Sequence, residues 1–305
     1  MDGFLQGAIP TGFGARQSTL KAPIGCVGVG LHAGRRVSLT LHPAQPGHGI
    51  TFRRTDLGVD IPARFDRVAA TSLSTVLAQG AASVGTVEHV MAALAGSGID
   101  NALIELDGPE PPILDGSAAP YLFLIDCAGV VEQTEPRTAI RVCRPVRVTD
   151  GDAFAELRPN PGAQGLDLAL SIDFAAAAIG RQALSIRLTP ESFRHELARA
   201  RTFALAEEVE QMRAAGLVQG GSLDNAVVVD RARVLNPAGL RMPDEFVRHK
   251  LLDAVGDLAL AGAPLDGRFV AHRSGHTLNN RLLRALFADA SAWREISSEP
   301  LSVAA

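Results

Sequence analysis

The organisation of the chain is decided by two ten-residue segments, VEHVMAALAG at 87–96 and VRHKLLDAVG at 247–256. A valine, a histidine and a glycine occupy the same places in both, and an apolar residue follows each histidine by two. Three identities in ten can arise by chance, but the segments sit at matching places in two halves that each combine strands and helices. We therefore interpret them as copies from an internal duplication. Duplication would put His89 and His249 on equivalent helices that face each other across a pseudo-twofold interface.

The predicted fold class is α+β, with two similar domains of layered sheet and helix and an active site at their interface. A chain of 305 residues suits two domains of about 150 residues each. The polar, proline-containing segment 132–137 follows an apolar helix, so we predict domains at 1–132 and 133–305. The first would carry Glu88 and His89, and the second His249, Asp253 and His276.

Periodicity indicates the main elements of both halves. In the first half, 37–41 alternates like a strand, 86–96 has a helical apolar stripe, and 101–106 is typical of a buried strand. In the second half the pattern predicts strands at 140–148, 153–158, 166–173, 226–234 and 268–271, and helices at 190–199, 244–261 and 278–288.

Composition narrows the classes of function. The hydrophobic fraction of 47% is typical of a globular protein. The net charge is −4, so the composition gives no sign of a basic surface that would bind nucleic acid. With one Trp and one Tyr, the chain also has few aromatic side chains on which the bases of a single strand could stack. The chain has three cysteines, Cys26, Cys127 and Cys143, which are far apart in sequence and form no CxxC pair. This pattern is typical of a protein in a reducing compartment, where free cysteines serve as small hydrophobic side chains. Residues 1–25 lack a signal-peptide pattern and no membrane span is predicted. We expect a soluble cytoplasmic protein, with no indication of partner proteins.

The spacing of His249 and Asp253 indicates a metal site. Residues four apart on a helix share one face, one turn apart. With one more imidazole, from His89 or His276, they make a three-ligand site with an open position, and Glu88 is a carboxylate that need not bind metal. A catalytic zinc hydrolase requires such a set.

Each of these residues also has an ordinary structural explanation. The His249–Asp253 pair is commonly a surface salt bridge, although Asp257 on the same face suits a carboxylate that orients a histidine. Glu88 and His89 are adjacent on a helix and point in different directions, so one of them must face other parts of the protein. For His89 the ordinary explanation is a histidine buried in the core with its hydrogen bonds satisfied. His276, which follows Gly275 near a helix start, can be a simple loop histidine.

Several motifs together resemble one family, the UDP-3-O-acyl-N-acetylglucosamine deacetylases, which are zinc amidases that commit bacteria to lipid A synthesis. The resemblance runs in order from about residue 18 to 296. The motifs are TVEH at 86–89, GIDN at 98–101, DGSA at 115–118, ARTF at 200–203, FVRHKLLD at 246–253 and SGHTLNN at 274–280.

The resemblance implies a role for each matching residue. Zinc, or iron in the cell, would be held by His89, His249 and Asp253. Glu88 would be the general base, His276 an acid or electrostatic stabiliser oriented by Asp257, and Thr202 a donor to the oxyanion. The acylated UDP-sugar substrate would contact Phe203 and Lys250, and its acyl chain would enter an apolar passage lined by segment 217–228, with Leu217, Leu223, Ala226 and Val228.

The chain also departs from the family pattern. Many members have a cysteine where this chain has Ser74, so we expect no inhibition by a thiol–metal contact there. The tail after Glu295 has no clear match. Two other classes would leave different patterns in the sequence. A lipid- or carbohydrate-binding module with structural zinc would use cysteine ligands, and a peptide-deformylase-like amidase would show HExxH. Neither pattern is present.

Overall fold

The structure is a computed structural model that describes residues 16–161 and 164–297. Expectations for residues 1–15 and for the tail from 298 onward lie outside the described residues. The strands, in chain order, are β1 Arg16–Leu20, β2 Ile24–Val29, β3 Arg36–Pro43, β4 Ile50–Arg54, β5 Val59–Pro62, β6 Val68–Ala70, β7 Val76–Gln79, β8 Ala82–Val84, β9 Ala102–Leu106, β10 Val130–Pro136, β11 Thr138–Val142, β12 Val146–Asp150, β13 Ala153–Arg158, β14 Leu166–Asp173, β15 Arg181–Arg187, β16 Phe203–Leu205, β17 Val227–Asp230, β18 Arg233–Val234, β19 Leu265–His272 and β20 Trp293–Ser297.

The helices are fewer and differ in length. They are α1 Glu88–Gly96, α2 Ala119–Ala128, α3 Pro190–Ser192, α4 Ala206–Ala214, α5 Glu245–Ala259 and α6 His276–Ala288. A 3₁₀ turn occupies Phe65–Arg67, and α3 continues into a π-helical segment at Phe193–Leu197. None of the described helices is long and apolar enough to cross a membrane.

The first large sheet has the strand order β2-β3-β9-β4-β5. Its central strand β9 is antiparallel to β3 and parallel to β4. Val37, Leu39 and Leu41 alternate with more exposed residues along β3, so one face of the sheet is buried, as the period of two predicts. Helix α1 leads into β9 and α2 follows it.

The second large sheet repeats this arrangement. Its central strand β19 is antiparallel to β13 and parallel to β14, with β12 and β15 outside them. Helix α5 leads into β19 and α6 follows it, while β11 and β20 extend the sheet on one side. The α+β class predicted from the sequence is therefore confirmed, and the shared strand order supports the predicted duplication.

Helices α1 and α5 pack against each other at close range. Eight of the nine residues of α1 are buried, which is expected of a helix that is apolar all round. A methyl group on Gly256 would overlap the backbone carbonyl of Glu88, and one on Gly96 would overlap the ring of Phe193. The two glycines matched in the repeated segments are therefore both positions where another part of the chain comes too close for a side chain.

Some local predictions were wrong. The polar segment around 132, where the domain boundary is predicted, forms strand β10, which pairs with β1 and is largely exposed to solvent. The placement of domains at 1–132 and 133–305 stays a prediction. Helix α4 and strand β20 were missed, and Cys127 and Cys143 are exposed rather than buried as small hydrophobic groups.

Candidate metal centre and active site

Two imidazoles and one carboxylate meet where α1 packs on α5. His89 lies in the first turn of α1, and His249 and Asp253 lie one turn apart on α5. One ligand atom from each lies within 4.8 Å of the other two, and all three side chains are buried. The two rings have centroids 5.1 Å apart and are nearly perpendicular, at 82°. The helical spacing predicted from the sequence puts His249 and Asp253 on one face of α5, and the packing of α1 on α5 brings His89 to the same place.

His249 is oriented as a neutral ligand. Its Nδ1 donates to the backbone oxygen of Ala200 at 3.0 Å, because a carbonyl can only accept. The Nε2 atom then carries the lone pair, 3.2 Å from Oδ1 of Asp253. Burial lowers the pKa of His249 to about 4, against the opposing charge of Asp253. A buried imidazole that is neutral at pH 7 is suited to bind a metal.

Asp253 has one satisfied and one unsatisfied oxygen. Its Oδ2 accepts from Nζ of Lys250 at 2.8 Å. Its Oδ1 is buried and has no hydrogen-bond partner among the described residues, since the 3.7 Å to Nε2 of His89 is too long for a hydrogen bond. Burial raises the pKa of Asp253, but His249 and Lys250 outweigh it and hold the pKa well below its usual range.

The unsatisfied oxygen makes the three residues fit a divalent metal ion. A buried acceptor without a partner costs roughly 1–3 kcal/mol, and more when it is charged. Two imidazoles and a carboxylate are a ligand set of catalytic zinc sites, whereas structural zinc is usually held by four ligands rich in thiolate. The donor chemistry therefore favours a metal site with an open position.

A second group of hydrogen bonds holds His276, the first residue of α6. Its Nδ1 donates to Oδ2 of Asp257 at 2.9 Å. Asp257 also accepts from Nδ2 of Asn279 at 2.8 Å and from the Thr75 hydroxyl at 2.6 Å. Burial would lower the pKa of His276, but Asp257 and Glu88 outweigh it and raise the pKa to about 9. His276 is therefore a cation at neutral pH.

Glu88 faces this cation from the first turn of α1. Its Oε2 accepts from the backbone N–H of Thr75 at 3.0 Å, and its Oε1 lies 3.9 Å from Nε2 of His276. Burial raises the pKa of Glu88, and the opposing charges of His276 and His89 do not cancel that effect. A carboxylate with a raised pKa is a stronger base than an exposed glutamate, which suits it to accept a proton beside the candidate metal site.

These groups line one cavity of about 180 Å³. Its polar residues are Thr86, Glu88, His89, Thr202, Glu208, His249, Lys250, Asp253 and His276. Its apolar residues are Leu31, Leu73, Phe174, Phe203, Ala204 and Leu205. A lining that combines charged and apolar side chains suits a substrate with a polar reacting group and an apolar part.

The structure brings together most of the site residues predicted from the sequence. The predicted metal ligands, together with Glu88, His276, Thr202, Phe203 and Lys250, line the cavity, and Asp257 stands behind His276. Four predicted acyl contacts are not among the described cavity residues: Leu217, Leu223, Ala226 and Val228. Leu217 and Leu223 are exposed and the other two are half-buried, so their role as a passage stays a prediction.

Thr75, Asn279 and Phe174 were missed as site residues. Asn279 lies inside the family motif at 274–280, which could have marked it as a site residue. Thr75 directly follows Ser74, the position where many family members have a cysteine. Phe174 follows β14 with no local pattern to mark it. Ser74 itself is buried next to the site.

Comparison with known proteins identifies relatives along nearly the whole chain. The family model described as UDP-3-O-acyl N-acetylglycosamine deacetylase matches residues 17–288. A protein of Anaeromyxobacter sp. (strain Fw109-5) is 51% identical over 280 residues, which cover 92% of this chain and 91% of that protein. One from Myxococcus xanthus (strain DK1622) is 50% identical over 279 residues, covering 91% of this chain and 88% of that protein. Both relatives are named UDP-3-O-acyl-N-acetylglucosamine deacetylase.

Proposed function

The chain belongs to the UDP-3-O-acyl N-acetylglycosamine deacetylase family, and from this premise we propose that it is a zinc-dependent amidase. It removes the N-acetyl group of UDP-3-O-(3-hydroxyacyl)-N-acetylglucosamine and releases acetate, the committed step of lipid A biosynthesis. The observation that carries the proposal is the buried Oδ1 of Asp253, which lies beside two imidazoles and has no hydrogen-bond partner among the described residues. Glu88 and His276 face each other in the same cavity.

The proposed zinc ligands are His89, His249 and Asp253, with ferrous iron as an alternative metal in the cell. A metal with an open position supplies Lewis-acid activation of water and of the acetamide carbonyl. Lys250 neutralises the second oxygen of Asp253, so that the carboxylate presents one defined oxygen to the metal site.

Glu88 is the proposed general base. It is adjacent in sequence to a ligand and lies in the cavity, while its Oε2 is already held by the Thr75 N–H. The other oxygen, Oε1, is therefore the one that takes a proton from the attacking water. The burial that raises the pKa of Glu88 makes it a stronger base than an exposed glutamate.

Thr202 is the proposed donor to the oxyanion that forms when water attacks the acetamide. It lines the cavity, and its backbone is held on both sides, since its N–H donates to Gly116 at 2.8 Å and its carbonyl accepts from Val227 at 2.8 Å. Loss of one such donor typically costs roughly 100- to 1,000-fold in rate.

The leaving amine must be protonated before it departs, and two groups can supply the proton. Glu88 can return the one it takes from water, and His276 carries its own as an imidazolium held by Asp257. In both routes the positive charge of His276 stabilises the negative charge that develops in front of it.

The proposed substrate contacts comprise residues for the sugar and residues for the acyl chain. Lys250 and Phe203 are assigned to the sugar and its polar groups, and Leu217, Leu223, Ala226 and Val228 to the acyl chain. The proposed location is the cytoplasm, which suits a nucleotide-sugar substrate and three free cysteines. Each buried methylene contributes about 0.8 kcal/mol, so an acyl chain would add several kcal/mol of binding energy.

A metal analysis combined with an acetate-release assay tests the proposal. The purified chain should hold about one divalent ion and release acetate from the acylated UDP-sugar, with kcat/KM lower by orders of magnitude for the sugar without its 3-O-acyl group. Leu223→Trp or Ala226→Trp should lower activity on the acylated substrate without changing metal content. Equal kcat/KM for the two sugars would contradict the substrate assignment, and no acetate release would contradict the reaction.

A further inference from the structure

We propose that Thr75 is a positioning residue that aligns Glu88 and His276 with each other. The inference rests on the proposed function, because it assigns a task to a residue that acts through the proposed base and the proposed cation. Thr75 lies between β6 and β7, outside both helices that carry the metal ligands, and only 1% of its surface is exposed.

Thr75 contacts the proposed base Glu88 and Asp257, the carboxylate that holds His276. Its backbone N–H donates to Oε2 of Glu88 at 3.0 Å, and its hydroxyl donates to Oδ1 of Asp257 at 2.6 Å. Glu88 begins α1 and Asp257 lies near the end of α5. Thr75 thus forms hydrogen bonds with one carboxylate from each of the two helices.

Each bond leaves the other oxygen of its carboxylate directed at His276. With Oε2 of Glu88 on the Thr75 N–H, Oε1 lies 3.9 Å from Nε2 of His276. With Oδ1 of Asp257 on the Thr75 hydroxyl, Oδ2 accepts from Nδ1 of His276 at 2.9 Å. Thr75 therefore sets the orientation of His276 through Asp257 and that of the base directly.

The other contacts of Asp257 do not replace this one. Asn279 and His276 both donate to Oδ2, so among the described residues the Thr75 hydroxyl is the donor to Oδ1. Asp257 is 2% exposed, so solvent has little access to the oxygen that would be freed. Without the hydroxyl, Oδ1 lacks its partner and the carboxylate can rotate away from His276.

Thr75→Val removes the hydroxyl but keeps the backbone N–H and the branched shape, and Thr75→Ser keeps the hydroxyl. We expect Thr75→Val to lower kcat by about 10-fold, with KM and metal content within about 2-fold of wild type, and Thr75→Ser to restore most of kcat. Thr19→Val is the matched control, because the buried Thr19 hydroxyl donates to Asn101 at 2.7 Å, away from the cavity residues. Should Thr75→Val not fold, Thr75→Ala serves in the same comparison.

A double-mutant cycle with His276→Gln separates positioning from general damage. If Thr75 acts through His276, Thr75→Val should lower kcat by less than about 2-fold in the His276→Gln background. The inference would be overturned if the kcat losses of Thr75→Val and His276→Gln multiplied in the double variant. It would also be overturned if Thr75→Val lowered kcat no more than Thr19→Val, or if Thr75→Ser did not restore kcat. A wild-type chain that releases no acetate would instead overturn the proposed function, so the two failures are distinguishable.

Discussion

At the scale of single residues, the site shifts the pKa values of two buried histidines in opposite directions. Burial dominates at His249 and lowers its pKa to about 4, and the nearby His89 and Lys250 add to that effect. His276 is just as enclosed, but it faces two carboxylates, Asp257 and Glu88, and its pKa rises to about 9. One imidazole is therefore neutral and suited to bind metal, whereas the other is a cation.

Glu88→Gln should keep the metal and lose most hydrolysis, because an amide cannot accept a proton from water. We expect kcat to fall by roughly 100- to 10,000-fold with unchanged metal content. Glu208→Gln is the control, since it removes another carboxylate that lines the cavity. Near-wild-type turnover of Glu88→Gln with metal bound would make Glu88 a packing residue.

His249→Ala and Asp253→Ala should each lower metal affinity sharply, because each removes one of the three proposed ligands. Elemental analysis after dialysis measures the loss. His42→Ala serves as the control, since His42 pairs with Glu105 at 3.0 Å and is not one of the three ligands. Unchanged metal content in both variants would contradict the ligand assignment.

Asp257→Asn should move the alkaline limb of the kcat profile to lower pH. The pKa of His276 is raised, so its charge is present below about 9 and is lost as the pH rises through that value. Removing the Asp257 carboxylate removes the first of the two charges that hold the proton. A profile with its alkaline limb in the wild-type position would show that His276 does not control it.

At the scale of elements, the site depends on how closely α1 and α5 approach. Helix α1 brings His89 and Glu88, and α5 brings His249, Asp253 and Asp257. The backbone of α1 lies directly over Gly256, with no space for a side chain. The separation of the two helices therefore sets the distances among the ligands.

Gly256→Ala tests this contact. Alanine favours a helix over glycine by about 1 kcal/mol, but its methyl group would overlap the Glu88 carbonyl. We expect a net loss of roughly 1–3 kcal/mol of stability, measured by denaturant unfolding, together with weaker metal binding. Gly85→Ala is the control, because its new methyl would lie 3.6 Å from Val76, an ordinary contact. Equal stability of the two variants would show that the helices can separate freely.

At the scale of the whole molecule, two sheets with the same strand order each direct a helix into the common site. A buried ion pair anchors the start of α5: Glu245 accepts from Nε of Arg201 at 2.8 Å and from the N–H of Arg241 at 2.7 Å. Ala200, whose carbonyl orients His249, is next to Arg201. This pair therefore contributes to the fold and to the position of His249, a proposed metal ligand.

Acid should weaken the fold through Glu245. Burial raises its pKa, but its bonds to Arg201 and Arg241 outweigh burial and hold the pKa below its ordinary 4.5. The stabilisation is complete above pH 4.5 and is lost as the pH falls through the lower, folded-state pKa. Glu245→Gln should lower the free energy of unfolding by about 3 kcal/mol at pH 7. In acid, the variant should lose less additional stability than the wild type. Glu207→Gln, on the exposed side of α4, is the control, and parallel stability curves for wild type and Glu245→Gln would contradict this assignment.

The sequence predicted those parts of the site that depend on local periodicity. His249 and Asp253 share a helix face because the helical repeat is a local property of the chain. The duplication predicted that His89 faces His249, and the family resemblance then implied that His89, rather than His276, is the third ligand. Segment 217–228 had no such constraint, and its leucines at 217 and 223 are exposed away from the described cavity lining.

By itself, then, the sequence determined the α+β class, the family motifs and the one-turn spacing of His249 and Asp253, because these depend on short-range spacing and residue type. Tertiary structure alone decided that Thr75 and Asn279 hold Asp257, that Phe174 joins the cavity wall, and that Ala200 orients His249. Each of these contacts joins residues separated by many positions in the chain. Their distances depend on how the sheets and helices pack, and no periodicity encodes that packing.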